Sequence, residues 1–412
     1  MQNSCALSVL LLLLTLSSTC SGVSSTQIIA SPTATRTPPR LGPTSTPPRF
    51  EPPSTQPGAP TSAPLSPITD ADRVRGPQDA PVTLVVYCDY QTPGCVQLAP
   101  ILDILREWHP DDLRVVHRLF PLIGIQDKSS LAAQAVLAAE KQGAFWEMHD
   151  ALYREFEAWL SLEPSAFENW LFDLASEIGL DQDSFQTALK EGEYAEAVQT
   201  MYEESAAAGI SVSPFVFLNG EWFRTPLNLV NLEMAVRLSA LTNRQYQTYP
   251  PFTIDLQREY YARVSLDVGE VLIQLYPLSA PMAVNNFIFL AQDGWYDGVA
   301  FYKVVPERYV ETGDPSDTGL GDPGYHFADE IDPARRFDQP GVLAMVSGGP
   351  DTNGSRFLIT LSSVPEWNDN YTIFGKVVQG LELLTQLETR DPFEDFLAPA
   401  PAIIQSIEID VR

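Results

Sequence analysis

Positive charge is scarce in this chain for its size. Across 412 residues, 25 lysines and arginines face 53 aspartates and glutamates, and the net charge at pH 7 is -28. The deficit runs through both regions that look folded, 70–235 and 250–412, so a phosphate backbone would be repelled by either and nucleic acid is excluded as a partner. Histidine is scarcer still. His109, His117, His149 and His326 are scattered, none at metal-ligand spacing from a cysteine or another histidine, so no metal or cofactor is expected. The glycines of GLGDPG (Gly319 to Gly324) lack the following helix that a phosphate cradle needs. The apolar run LSVLLLLLTL (Leu7 to Leu16) falls short of a membrane span, and no internal repeat is present.

That short run, followed by small residues up to Cys20, reads as the core of a signal peptide over 1–22, although MQNSCALS carries no lysine or arginine. LSSTC (Leu16 to Cys20) resembles a bacterial lipobox, with Ser17 where the pattern has Leu, Val or Ile and Leu16 one step early. Two readings stand: lipidation at Cys20 with membrane attachment, or an ordinary cleaved signal with an incidental cysteine. Either implies an exported protein, in the cell envelope or outside it. Residues 23–70 are rich in Ser, Thr and Pro with almost no large apolar side chains. Such a stretch buries too little surface to offset the entropy of ordering and reads as a disordered stalk.

From Val82 to Cys95 the chain reads VTLVVYCDYQTPGC, an apolar strand running into a helix start. GAFWEMHDALY (Gly143 to Tyr153) follows as a helix, and GISVSPFVFLNG (Gly209 to Gly220) as a loop and strand. His149, within that helix, reads as a surface or packing residue. These segments resemble the DsbA-like thioredoxin-fold oxidoreductases, whose motif is Ser-Asp-Phe/Tyr and then Cys-Pro-x-Cys. Tyr87, Asp89, Tyr90, Pro93 and Cys95 match; Thr92 stands where the attacking cysteine belongs. The family lowers the pKa of that exposed thiol at a helix N-terminus, and a threonine hydroxyl cannot replace it. The site is therefore a degenerate redox site. Cys88 replaces the family's serine, and Cys88 and Cys95 are either a structural disulfide or two separate thiols. The resemblance makes Pro214 a cis-proline that offers backbone groups to an extended peptide.

After a helix-like stretch (Leu229 to Leu241) and a polar, proline-marked segment over 242–250, read as a linker, the pattern changes to short alternating strands such as ARVSLDVGEVLIQLY (Ala262 to Tyr276) with a hairpin turn at Val-Gly-Glu. Over about Pro251 to Val411 the chain resembles the cyclophilin peptidyl-prolyl isomerases. The matching runs include AP-x-x-VNNF (Ala280 to Phe287), W-Y-D-G-V-x-F-Y (Trp295 to Tyr302), GPDTNGSRFLIT (Gly349 to Thr360) and NYTIFGKVVQG (Asn370 to Gly380). The resemblance implies a closed eight-stranded barrel with two capping helices and a peptide groove on its side.

In that family an arginine in F-H-R-V-I-P-x-F-M-x-Q-G-G-D aims its charge at the prolyl nitrogen. Here Phe301 to Asp314 reads FYKVVPERYVETGD, which makes Lys303 the catalytic cation and Glu311 its partner. Lysine keeps the charge and loses the planar fork, so a reduced rate is expected. Arg308 and Tyr309 stand for the pocket Phe-Met pair, Arg356 for a glutamine and Leu358 for a phenylalanine, while Phe357, Trp367 and Tyr371 match groove positions. Glu311 and Lys303 are expected to form an ion pair, with Arg308 or Arg356 as second donor. A charged Arg308 is compatible with an apolar pocket only if it points outward.

The sequence thus predicts a multidomain chain: signal 1–22, stalk 23–70, an α/β thioredoxin-like domain with a helical insertion over 71–241, linker 242–250, and an all-β cyclophilin-type barrel over 251–412. The expected function is peptidyl-prolyl isomerisation on proline-containing polypeptide clients during folding of exported proteins, with the first domain docking the client. Two alternatives stand beside it: a non-catalytic peptide-binding surface protein, and a thiol-disulfide oxidoreductase.

Overall fold

A run of seven apolar or small residues organises the first region. In the computed structural model, which describes residues 65–412 within one compact unit, β1 (Arg73–Arg75) leads into β2 (Val82–Cys88), whose every residue is buried. Such a run suits a central strand covered on both faces. Helix α1 (Pro93–Trp108) starts with proline in its first turn, and Cys95, Leu98, Leu102 and Leu105 form its inward stripe. Next comes β3 (Leu113–Leu119), parallel to β2. Six helices are then inserted: α2 (Ser129–Glu140), α3 (Phe145–Arg154), α4 (Phe156–Leu160), α5 (Pro164–Glu177), α6 (Gln182–Lys190) and α7 (Ala195–Ala207). Strands β4 (Phe215–Leu218) and β5 (Glu221–Trp222) complete a sheet in the order β1-β3-β2-β4-β5. The signal segment, Cys20 and the Ser/Thr/Pro stretch to residue 64 lie outside the described residues.

Helix α8 (Leu229–Leu241) belongs to both cores. Leu232 and Val236 pack with the first region, while Leu241 packs with the second. The residues read as a linker are docked: after a 3-10 turn (Thr242–Arg244), Tyr246 packs against Phe289, Trp295 and Tyr325, and Tyr249 against Tyr325 and Phe327. A polar, proline-marked composition reads as solvated chain, but its two tyrosines carry enough apolar surface to bind it down.

The second region alternates as the sequence does. β6 (Tyr260–Leu266) is buried at every second residue, and it turns through Asp267 and Val268 into β7 (Gly269–Leu275). Helix α9 (Pro281–Gln292) covers one end, followed by β8 (Lys303–Val305), β9 (Tyr309–Thr312), β10 (Val342–Ser347), β11 (Asn353–Thr360) and β12 (Ile373–Gln379). A second, short helix α10 (Leu381–Thr385) precedes β13 (Ile404–Val411). The sheet runs β13-β6-β7-β12-β10-β11-β9-β8. Its two edges meet through the bridge Ala300↔Ile403, just before β8 and β13, so closure rests on a few hydrogen bonds and not on a full ladder.

Candidate active site and peptide groove

Strand register brings several of the expected groove residues together. Lys303 on β8 lies opposite Glu311 on β9, Glu311 opposite Leu358 on β11, Leu358 opposite Ala344 on β10, and Ala344 opposite Ile373 on β12. Residues directly opposite in a sheet point to the same side. This row therefore lies on one face, and Tyr309, two residues from Glu311, joins it. Val304, Val310 and Phe357 point the other way, into the barrel. Phe357 is 1% exposed and packs on Phe287 and Tyr296. That corrects its expected place in the groove: strand alternation cannot present Phe357 and Leu358 on one face, and it is Leu358 that shares the face of Lys303 and Glu311.

An aromatic wall stands over that row. Tyr309 meets Trp367 at 5.2 Å between ring centroids and Trp367 meets Tyr371 at 5.4 Å. Phe337 lies 5.9 Å from each of the last two. Leu358 and Ile373 belong to the same apolar cluster. Phe337 was not singled out in the sequence, because it reaches the site from a loop with no motif of its own.

The charges sort themselves around this wall. Lys303 is partly buried, with its ammonium 5.9 Å from the centre of the Tyr309 ring, a cation-π approach. Burial on its own would lower the Lys303 pKa, but the negative field of Glu311, with Tyr309 and Asp391, outweighs it and the ammonium is held above its ordinary value. Burial raises the Glu311 carboxyl against the opposing pull of Lys303 and Arg356. Among the described residues no ion pair joins Lys303 to Glu311, so the expected contact pair is instead a cross-strand neighbour acting through its field. Arg308 points outward: it is 48% exposed, bonds Glu366 at 2.8 Å and lies over the Trp367 ring at 5.6 Å. The apolar floor is thus spared its charge. Arg356, on the same face of β11 as Leu358, is partly buried and its guanidinium donates to the Gly319 carbonyl. Asp391 enters from the segment that pairs through Arg390 with Val304, a juxtaposition nearly ninety residues apart that no local pattern signals.

In the thioredoxin-like region, Cys88 at the end of β2 and Cys95 in the first turn of α1 form a disulfide, with Cα atoms 5.8 Å apart. Both cysteines are buried, and Thr92 between them is buried too, its hydroxyl turned toward Asp89 at 3.4 Å. No exposed thiol is left at the helix start. The Ser213–Pro214 peptide is cis, and the Ser213 hydroxyl bonds the Asp89 amide at 2.9 Å and lies 3.2 Å from the Cys95 sulfur. Gly94 fits beneath Pro214: a Cβ there would come within 2.8 Å of the proline ring. Asp89 is buried and raised by that burial, while accepting from the Leu122 and Gln91 amides. His149 is buried, its Nδ1 hydrogen-bonded to the Tyr90 hydroxyl at 2.7 Å, so it is a packing residue.

Residues 261–409 match the family described as cyclophilin type peptidyl-prolyl cis-trans isomerase, and residues 69–237 match the family described as thioredoxin. A relative from Schizosaccharomyces pombe, a peptidyl-prolyl cis-trans isomerase, is 42% identical over 123 residues, covering 29% of this chain and 79% of that protein. Another, peptidyl-prolyl cis-trans isomerase-like 2 of Rhizopus delemar, is 37% identical over 137 residues, 32% of this chain and 26% of its own length. Among solved structures, a cyclophilin type peptidyl-prolyl cis-trans isomerase of Cryptosporidium parvum, crystallised in the presence of the dipeptide Ala-Pro, is 34% identical, with a TM-score of 0.33 over 36% of this chain and 98% of that one.

Proposed function

Because the chain belongs to the cyclophilin-type peptidyl-prolyl cis-trans isomerase family, we propose that its barrel isomerises X-Pro bonds of polypeptide clients, with Lys303 as the electrostatic catalyst. The barrier is about 18–20 kcal/mol because resonance holds the amide planar. Twisting the bond leaves a lone pair on the prolyl nitrogen, and a fixed cation aimed there stabilises the twisted state more than either planar one. The observation that carries the reading is the single row Lys303, Glu311, Leu358 under the Tyr309–Trp367–Tyr371 wall: a held cation beside an apolar seat for a proline ring.

Each groove residue has a part in this reading. Leu358, with Ile373, floors the seat, and the aromatic wall excludes water. Glu311 keeps Lys303 charged, and Arg356 supplies a second donor for a substrate carbonyl. A lysine offers a point charge where a guanidinium would offer a planar fork, so turnover is slow. The thioredoxin-like region docks extended clients at the Pro214 edge without redox chemistry, and two peptide-binding sites on one chain raise client affinity through effective concentration. The signal-like run Leu7 to Leu16 supports a place outside the cytoplasm, with Cys20 as the residue where a lipid would attach if the segment is a lipoprotein signal.

A proline-isomerisation assay on the full chain tests the central claim, wild type against Lys303→Ala. Catalysis in the wild type that the variant lacks is expected. Equal rates at the uncatalysed level would leave a peptide-binding groove without turnover.

A further inference from the structure

The strongest feature outside the groove is a buried charge relay where α8 meets the barrel. Glu233 is fully buried, yet it carries two partners: His109 at the end of α1, 2.7 Å away, and Arg237 one turn along α8, also 2.7 Å. Arg237 reaches on to Asp317 of the barrel at 3.3 Å and lies 4.9 Å from the centre of the Phe396 ring. The other Asp317 oxygen accepts from the Ala300 amide, three residues before Lys303.

Asp317 sits in a tight loop. The Asp314 carboxylate accepts from the Ser316 amide at 2.8 Å and the Gly321 amide at 2.9 Å, so the loop has its own internal frame. Leu241, the last residue of α8, closes it from outside: a Cβ on Gly321 would lie 2.7 Å from the Leu241 side chain. In the same loop the Gly319 carbonyl accepts from Arg356 of the groove. One loop therefore touches α8, the chain leading to Lys303 and the guanidinium of Arg356.

We propose that the thioredoxin-like region is a positioning element of the peptide groove: α8, through Arg237 and Leu241, fixes the Asp314–Gly321 loop against which Arg356 and the Lys303 strand are set. This rests on the groove assignment made above. A carboxylate shared between a cation from one domain and a backbone amide of the other holds both in a single geometry, and a partly buried pair resists screening better than a surface pair. Arg237 is a positioning residue and touches no substrate.

The test uses the full chain with Arg237→Gln, Arg237→Lys and Asp317→Asn, the last keeping an oxygen for the Ala300 amide. Thermal midpoint and near-ultraviolet circular dichroism establish folding. The Nε–Hε resonance of Arg356 reports its setting, and titration with the tetrapeptide Ala-Ala-Pro-Phe, followed by tryptophan fluorescence, reports the groove. Arg237→Gln and Asp317→Asn are expected to shift the Arg356 resonance and raise the Kd roughly two- to tenfold, as loss of one positioned hydrogen bond does, with Arg237→Lys nearer wild type. If the glutamine variant does not fold, Asp317→Asn decides alone. A folded variant with an unmoved Arg356 resonance and wild-type Kd overturns the proposal. Peptide binding without isomerisation in the wild type would instead overturn the isomerase reading, and the resonance and Kd would still decide the positioning claim.

Discussion

Acid should weaken this protein already between pH 7 and pH 5, because two histidines are buried uncharged in the thioredoxin-like region. His117 packs edge-on between Trp146 and His149, with ring centroids 5.2 and 4.7 Å away. Its pKa is pushed down to about 3, first by burial and then by Arg75 and Arg106. His149 is lowered for the same first reason, then by His117 and Arg75. An unfolded chain binds a proton at a histidine below about pH 6.5, whereas the folded form does not until far lower, so acid favours unfolding. At pH 5, about 1.5 units below the unfolded value, His117 alone removes about 2 kcal/mol of stability, at 1.36 kcal/mol per unit. Guanidinium unfolding of the full chain at pH 7 and pH 5, in wild type and His117→Phe, measures the difference, and the His117 ring resonance should stay fixed between those pH values. A ring that titrates near pH 6.5, or an equal pH-dependent loss in the variant, would refute the reasoning.

Other predictions follow from the two sites. Lys303→Arg should raise kcat/KM in the isomerisation assay, because it restores a planar two-point donor on the same strand position; a fall would mean that the wall around Tyr309 is shaped for an ammonium. Glu311→Gln should raise the thermal midpoint at pH 7 and leave it unchanged near pH 4. Its pKa is raised in the folded state, mainly by burial, so its contribution to stability is full at low pH and is lost as pH rises through that value. Gly94→Ala should destabilise by about 1–3 kcal/mol through overpacking against Pro214, seen as a lower denaturant midpoint. Reduction of Cys88–Cys95, which closes a loop of sequence separation 7, should cost about 2–3 kcal/mol by loop entropy and yield no insulin-reducing activity, since no exposed thiol stands at position 92.

Much of the plan was legible along the chain. The periods of 2 and 3.6 mark β6, β7, α1 and α8, and the hairpin turn falls at Asp267 and Val268, starting one residue before the Val-Gly-Glu run expected to form it, whose Gly269 and Glu270 open β7. Thr92 in place of a cysteine, the substitution of Lys303, and the crowd of groove changes at Arg308, Glu311, Arg356 and Leu358 are facts of sequence, and they already separated a lost thiol chemistry from an altered electrostatic one. What those side chains do depends on direction, which no one-dimensional pattern carries. Phe357 reads as a groove residue until alternation on β11 turns it inward, and Arg308 reads as an intruder until Glu366, 58 residues away, draws it out of the apolar seat. The segment that reads as a linker is docked by Tyr246 and Tyr249, and the meeting of Arg237 with Asp317 spans 80 residues. Local sequence fixes which elements form, because propensity, period and turn chemistry act over a few residues. Only the packed tertiary structure decides which charges meet, because those contacts follow from strand register and helix docking across the whole chain.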